Sequence, residues 1–323
     1  MLDWPNLRVT VTGGSGFLGR CVCRLLRQRG VADDHLLVVR QADYDLTVQD
    51  QVARMYRDLK PDVVVHLAAE VGGIGANRDH PGRFFYANMA MGLHLVEQAR
   101  IAGLRKFVHT GTVCAYPKFA EVPFREQDLW NGYPEETNAP YGVAKKALFV
   151  MLDGYKREYG LDCAVVVPVN LYGPGDNFDP HTSHVIPALI RKCEQARLDA
   201  GRGVDAVVTC WGTGSASREF LYVEDAAEGI VRAAERIDSP EPVNLGTGSE
   251  ITIRDLVILI AKLCGFEGRI QWDSSKPDGQ PRRCLDTSLG RKLLDWEAKT
   301  TFEQGLAATI DWWRCHERST GQG

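Results

Sequence analysis

Through the first half of the chain, apolar runs of strand length alternate with longer runs of helical pattern. The strand-length runs are LRVTVTG (7–13), HLLVVR (35–40), DVVVHLAA (62–69), KFVHTGT (106–112) and CAVVVPVN (163–170). Between them, residues 17–29, 47–59, 83–102 and 140–159 have helical length and spacing. Short Val-rich runs with little polar alternation fit strands buried on both faces. Strands alternating with helices predict a parallel sheet covered on both sides, a Rossmann-type doubly wound α/β fold.

The pattern changes after residue 172. Pro, Gly, His and Asn cluster in YGPGDNFDPHTSH (172–184). A helix at 185–200, a strand at 206–211 and helices near 224–236, 253–264 and 301–315 are expected next. The short segment PVNLGTG (242–248) reads as a further strand returning to the main sheet. These elements predict a large sheet domain over residues 1–172, with return segments near 206–248, and a smaller α/β domain made mainly from 173–323. A ligand is expected in the cleft between them, at the carboxyl ends of the strands.

Composition narrows the classes. The 323 residues are 44% hydrophobic and 25% charged, as in globular proteins, and are enough for one large domain or two ordinary ones. The net charge of −4 argues against a nucleic-acid binder. No apolar run reaches the ~20 residues of a membrane span. The N-terminus MLDWPNLRVTVTGG lacks the basic and apolar regions of a signal peptide. The nine cysteines follow no metal-ligand spacing, so reduced thiols, a cytoplasmic setting and no metal are expected.

Residues 13–19 read GGSGFLG, between a predicted strand and a predicted helix. Small residues there let the turn close and let backbone amides approach a pyrophosphate at the helix N-terminus. Gly13, Gly14, Ser15, Gly16, Phe17, Leu18 and Gly19 are therefore candidates to bind a dinucleotide. The second strand ends at Arg40 instead of an acidic residue, which favours the 2′-phosphate of NADP. Asp45 and Leu46 lie at a distance suited to the adenine edge. Leu67, Ala68 and Ala69 are compact residues that leave room for a cofactor across the third strand.

In YGVAK (141–145), Tyr141 and Lys145 stand four apart on one helix face. An ammonium close to a phenol favours tyrosinate and is expected to bring the phenol's proton exchange toward neutral pH. HTGTVCAYP (109–117) sets a hydroxyl, Thr112, and a thiol, Cys114, two residues apart at a strand end.

The Gly-rich loop, Thr112 and the Tyr141/Lys145 pair together resemble the extended branch of the short-chain dehydrogenase/reductase superfamily over nearly the whole chain. Within that branch, VGGIGAN (71–77), VCAYPK (113–118), NLYGPGDNFDPHTSHVIPALIRK (170–192), WGTGSASREFLYVEDAA (211–227) and SKPDGQPRR (275–283) resemble the GDP-L-fucose synthase family. The resemblance implies an NADPH-dependent 3,5-epimerase-4-reductase acting on GDP-4-keto-6-deoxy-D-mannose. It implies Tyr141 as proton carrier, Lys145 as its partner and ribose ligand, and Thr112 as hydrogen-bond donor to the reacting carbonyl oxygen. It implies Cys114 and His184 as the base and acid of epimerisation. Both residue types have pKa values within reach of neutrality. Further cofactor contacts are implied at Thr110, Pro168, Asn170, Leu171 and His184. Substrate contacts are implied at Asn170, Lys192, Trp211, Arg218, Arg269 and Asp278, because arginines suit phosphate and a carboxylate accepts from guanine. It also implies a homodimer through the helix carrying Tyr141 and the one before it.

The chain departs from that pattern in places. Thr112 stands where the family commonly has serine, Val113 replaces a small polar residue, and ARLDAGRGVDA (196–206) reads as an insertion. A related GDP-4-keto sugar and a single-activity epimerase or 4-reductase therefore stay open beside the bifunctional reading. A sensor that holds NADP without catalysis is disfavoured by the retained Tyr141, Lys145, Cys114 and His184.

Overall fold

The computed structural model describes residues 2–72, 74–276 and 280–320. Its elements run β1 (Val9–Thr12), α1 (Phe17–Gln28), β2 (Leu36–Val39), α2 (Gln49–Leu59), β3 (Val63–His66), α3 (Ile74–Asp79), α4 (Pro81–Ile101), β4 (Lys106–Thr110) and α5 (Ala139–Tyr159). They continue through β5 (Cys163–Pro168), β6 (Asn170–Tyr172), α6 (Val185–Ala200), β7 (Val207–Trp211), β8 (Ser217–Tyr222), α7 (Val223–Arg236) and β9 (Ser239–Leu245). The last are β10 (Glu250–Thr252), α8 (Ile253–Cys264), β11 (Arg269–Asp273), α9 (Ser288–Leu294) and α10 (Phe302–Thr320).

Six strands form one parallel sheet in the order β2-β1-β3-β4-β5-β9. Consecutive units run outward in both directions from β1 and β3, so the strand order reverses there and opens a crevice at the carboxyl edge. Every residue of β1, β3, β4 and β5 is buried, which accounts for the apolar runs of β3 and β5, while β1 and β4 bury Thr10, Thr12, Lys106, His109 and Thr110 as well. Each fully buried Val side chain in these strands contributes on the order of 2 kcal/mol. The segment expected at 242–248 enters β9 (Ser239–Leu245) through its first four residues, and β9 joins β5 in parallel register.

The strand expected through residue 170 divides in two. Pro168 has no N–H to continue a ladder, and Val169 donates its own to Leu245. The chain then crosses to a second sheet, where β6 pairs with β8 and β8 with β10. The segment at 206–211 also differs from a return to the main sheet. It is β7, and it pairs in parallel with β11. A separate hydrophobic cluster, including Ile186, Ile190, Phe220, Leu256, Ile260 and Ile310, lies among these later elements. Short strands β6, β8, β10 and β11 escape the hydrophobic pattern because three to six residues, partly exposed, carry little periodic signal.

Candidate active site

The Gly-rich loop closes tightly onto α1. A Cβ on Gly19 would lie 2.0 Å from the carbonyl oxygen of Gly13, so only glycine lets the helix seat on its own turn. Gly16 caps α1 without a side-chain hydrogen bond, and the first turn contains no acidic residue. Those free amides at a positive dipole end suit an anion. Arg20, unremarked in the sequence reading, adds a cation there. It donates to Gly175 O at 3.1 Å and so ties the loop to the segment leading to His184. A cation at a helix N-terminus is unfavourable by itself, which could have drawn attention to it.

Arg40 directly follows β2 and is exposed. Asp45 is occupied by its own turn: its carboxylate accepts from Thr47 N at 2.9 Å and Thr47 Oγ1 at 2.7 Å, which lowers its pKa. Leu46 is buried beside it. Leu67, Ala68 and Ala69 form the half-buried exit of β3. The Ala68 amide donates to Thr12 Oγ1, which also bonds His66 Nδ1 at 2.8 Å.

At the end of β4 the chain turns sharply. Thr112 caps a 3-10 turn, Val113–Ala115, and its Oγ1 accepts from the Cys114 amide at 3.2 Å. The hydroxyl expected to meet a carbonyl oxygen therefore also shapes the turn that presents the thiol. Helix α5 packs directly on this turn. A Cβ on Gly142 would approach Cys114 O to 2.2 Å, so a glycine beside Tyr141 brings the helix within reach. Tyr141 is hydrogen-bonded to Thr112 and close enough to Cys114 for a thiolate there to raise its pKa. Thr112, Cys114 and Tyr141 thus converge on one spot.

The electrostatics differ from the expectation for the Tyr141/Lys145 pair. Burial pushes the Tyr141 phenol well above its ordinary pKa, and the Thr112 hydrogen bond only partly offsets this. Lys145 is completely buried, and burial brings its pKa down to about 7. Desolvation outweighs the attraction that helical spacing suggested. The Lys145 Nζ has no hydrogen-bond partner among the described residues, nor has the buried Thr110 Oγ1. A lysine ammonium and a hydroxyl left unsatisfied at the carboxyl edge fit the hydroxyls of a ribose. Beneath them, His66 and His109 stack with ring centroids 5.7 Å apart, and His109 Nε2 meets Lys145 O at 3.3 Å. Burial, aided by Lys145, keeps both rings neutral.

Pro168, Asn170 and Leu171 straddle the switch from β5 to β6. The Asn170 amide donates to Glu219 O at 3.0 Å. His184 is the exposed N-cap residue of α6, makes no capping bond with its side chain, and has its pKa lowered by desolvation. Lys192, expected near a diphosphate, donates to Thr209 O at 2.8 Å. Trp211 is 64% exposed, with the Lys276 ammonium 5.7 Å from its ring centre. Arg218 donates to Ser217 O at 2.7 Å. Arg269 is exposed and 4.0 Å from Asp205, in the insertion-like stretch. Asp278 lies outside the described residues.

Two buried groups at the site were not singled out by sequence. Arg283 reaches Cys114 Sγ with Nη1 at 3.7 Å, and Gln280 holds the other edge of its guanidinium. Both belong to the segment SKPDGQPRR, whose Arg-Arg pair gives no hint of which arginine turns inward.

Residues 9–246 match the family model described as "NAD dependent epimerase/dehydratase family". The chain is 39% identical over 310 residues to GDP-L-fucose synthase 1 of Arabidopsis thaliana, covering 95% of this chain and 93% of that one. It is 40% identical over 316 residues to the GDP-L-fucose synthase of Escherichia coli (strain K12), covering 94% and 96% respectively. Among solved structures, a GDP-mannoheptose C4 reductase from Campylobacter jejuni with NADP bound superposes with a TM-score of 0.88 at 26% identity, covering 97% of this chain and 99% of that one.

Proposed function

The chain belongs to the NAD dependent epimerase/dehydratase family, in its GDP-L-fucose synthase branch, and from that premise we propose that it converts GDP-4-keto-6-deoxy-D-mannose to GDP-L-fucose with NADPH. The carrying observation is the convergence of Thr112, Cys114 and Tyr141 at the end of β4. One spot offers a hydroxyl, a thiol and a phenol, the groups needed to move protons beside and onto a ketone.

Cys114 removes the proton from the carbon next to the ketone, at C3 and then C5. His184 returns a proton from the opposite face, inverting each centre. Thr112 Oγ1 donates to the C4 oxygen and stabilises the charge gathered there during both steps. Bound NADPH supplies the hydride that reduces C4. Tyr141 gives its proton to the same oxygen; its raised pKa keeps the phenol protonated and ready as an acid. The unsatisfied Lys145 Nζ and Thr110 Oγ1, the uncapped amides of α1 and the exposed Arg40 support the cofactor assignment.

The same reading divides the chain into an NADP-binding part, residues 1–172 with α7 and β9, and a mainly substrate-binding part, residues 173–323. GDP contacts are assigned to Asn170, Lys192, Trp211, Arg218, Arg269 and Asp278. Lys192 spends one of its three N–H donors on Thr209 O and keeps the others for that role. A homodimer through α4 and α5 is supported by Leu93, Ile101 and Val150, exposed on those helices. No helix among the described residues is long and apolar enough to cross a membrane, and nine free thiols support a cytoplasmic setting.

The test is direct. The purified protein with GDP-4-keto-6-deoxy-D-mannose should oxidise NADPH and give GDP-L-fucose, identified by NMR. A panel including GDP-4-keto-heptoses serves the second reading, a 4-reductase for a related sugar, which the likeness to the heptose C4 reductase favours. Absence of NADPH oxidation with the whole panel would refute the reductase assignment.

A further inference from the structure

Arg283 is 8% exposed, and among the described residues its guanidinium meets no carboxylate. Its Nε and Nη2 both donate to Gln280 Oε1, at 3.3 and 3.0 Å. Gln280, itself buried, donates to Lys118 O at 2.9 Å. Arg283 Nη1 points to Cys114 Sγ at 3.7 Å. The backbone is pinned as well: Glu219 N donates to Arg283 O at 3.0 Å, and Phe124 N donates to Cys284 O at 2.8 Å.

Among the described residues Glu219 and Glu250 are both bound to this stretch, but Glu250 pairs with Arg282 and the Glu219 carboxylate does not neutralise the Arg283 guanidinium. It accepts from the amides of Thr247, Gly248 and Leu285 instead. A guanidinium is always charged, and burying it beside neutral partners alone is unfavourable. The cradle of Gln280 and Lys118 therefore holds a positive charge against a sulfur. That arrangement is worthwhile when the sulfur carries a negative charge.

We propose that Arg283, held by Gln280, is the positioning residue that orients and charge-stabilises the Cys114 thiolate, the base of the epimerisation. This rests on the epimerase reading above. In the step, the C–H bond beside the ketone breaks and an S–H bond forms on Cys114. The C–H electron pair passes into the enolate, whose oxygen lies with Thr112. Arg283 Nη1 lies against the sulfur and stays fixed through the transfer. The Tyr141 phenol from α5 also lies near Cys114, and the Thr112 hydroxyl accepts from its amide; neither brings a positive charge.

The experiment compares the unmodified protein with Arg283→Gln, Arg283→Lys and Gln280→Ala. Iodoacetamide alkylation at Cys114, read by peptide mass spectrometry at fixed neutral pH, needs no substrate and so does not depend on the proposed function. Solvent deuterium uptake by GDP-4-keto-6-deoxy-D-mannose is followed in parallel. Arg283→Gln should slow both by about tenfold or more, as expected for loss of a charge-assisted hydrogen bond. Arg283→Lys should recover most of the rate, and KM for the sugar should change less than about twofold. Gln280→Ala should fall between, and covers the case in which Arg283→Gln does not fold. An unchanged alkylation rate in Arg283→Gln, or in Gln280→Ala where Arg283→Gln does not fold, overturns the proposal. So does a raised KM with normal alkylation, which would assign the guanidinium to a substrate anion.

Discussion

The end of β4 and the surface around β7 and β11 are built on different terms. At β4, Thr112, Tyr141 and Lys145 are buried, Cys114 is half-buried, and all are held by a backbone cap and a helix packed to contact. Around β7 and β11, Lys192 is engaged by Thr209 O, Trp211 stands in solvent, and Arg269 faces Asp205 across an exposed 4.0 Å gap. Groups that move protons need fixed geometry and a low dielectric. Groups that receive a large charged ligand can stay solvated until it arrives. On the proposed assignment, the difference teaches that the reacting groups are preorganised and the recognition groups are not.

Tyr141→Phe attacks the preorganised region hardest. It should lower the hydride-transfer rate by roughly 10²–10⁴-fold while sparing solvent deuterium uptake, measured by NADPH absorbance and NMR. Loss of both together would show that the two steps are not separable. Thr112→Val should come next, since it removes both the cap on Cys114 N and the bond to Tyr141. About 1 kcal/mol of stability should go with the cap, and both chemical steps should slow. Thr112→Ser should restore them, and a Val variant that keeps normal rates would detach the hydroxyl from the chemistry.

Lys145 gives a pH test in the same region. Its folded pKa of about 7 lies below its ordinary 10.5, so the unfolded chain binds more protons between those values. The burden of burying this lysine is fully present below pH 7 and is relieved as pH rises toward 10.5. For the ligand-free protein this adds a stability slope of at most ~1.4 kcal/mol per pH unit. Lys145→Met should be more stable than the parent near pH 6 and lack that rise, as read by denaturant unfolding from pH 6 to 9. Parallel curves would contradict it. The smallest effects belong to the open region. Arg269→Ala should change stability by less than ~0.5 kcal/mol, and any loss of activity should fall in KM with kcat unchanged. A kcat defect would mean that this surface is as preorganised as β4.

Much of this contrast was visible in the sequence. Apolar runs alternating with helical segments predicted the parallel sheet because its strands are buried on both faces and leave little polar alternation. The loop at 13–19, the four-residue spacing of Tyr141 and Lys145, and the two-residue spacing of Thr112 and Cys114 are local, so the strand-helix order fixes where they sit. Less visible was everything that depends on burial. Spacing suggested that Lys145 would lower the Tyr141 pKa, whereas desolvation raises one and depresses the other. Spacing also could not reveal that Lys192 is already bonded to β7.

The sequence by itself determined the strand-helix alternation, the glycine turn and the types of group delivered to the carboxyl edge. These follow from periodicity and from steric demands within a few residues. Tertiary structure alone decided that Arg283 meets Cys114 across 169 positions and that Glu219, bonded to the Arg283 backbone, turns its charge elsewhere. It also set the protonation balance of Tyr141 and Lys145. Coulomb attraction and desolvation depend on distance and burial in space, and chain order specifies neither until the fold has closed.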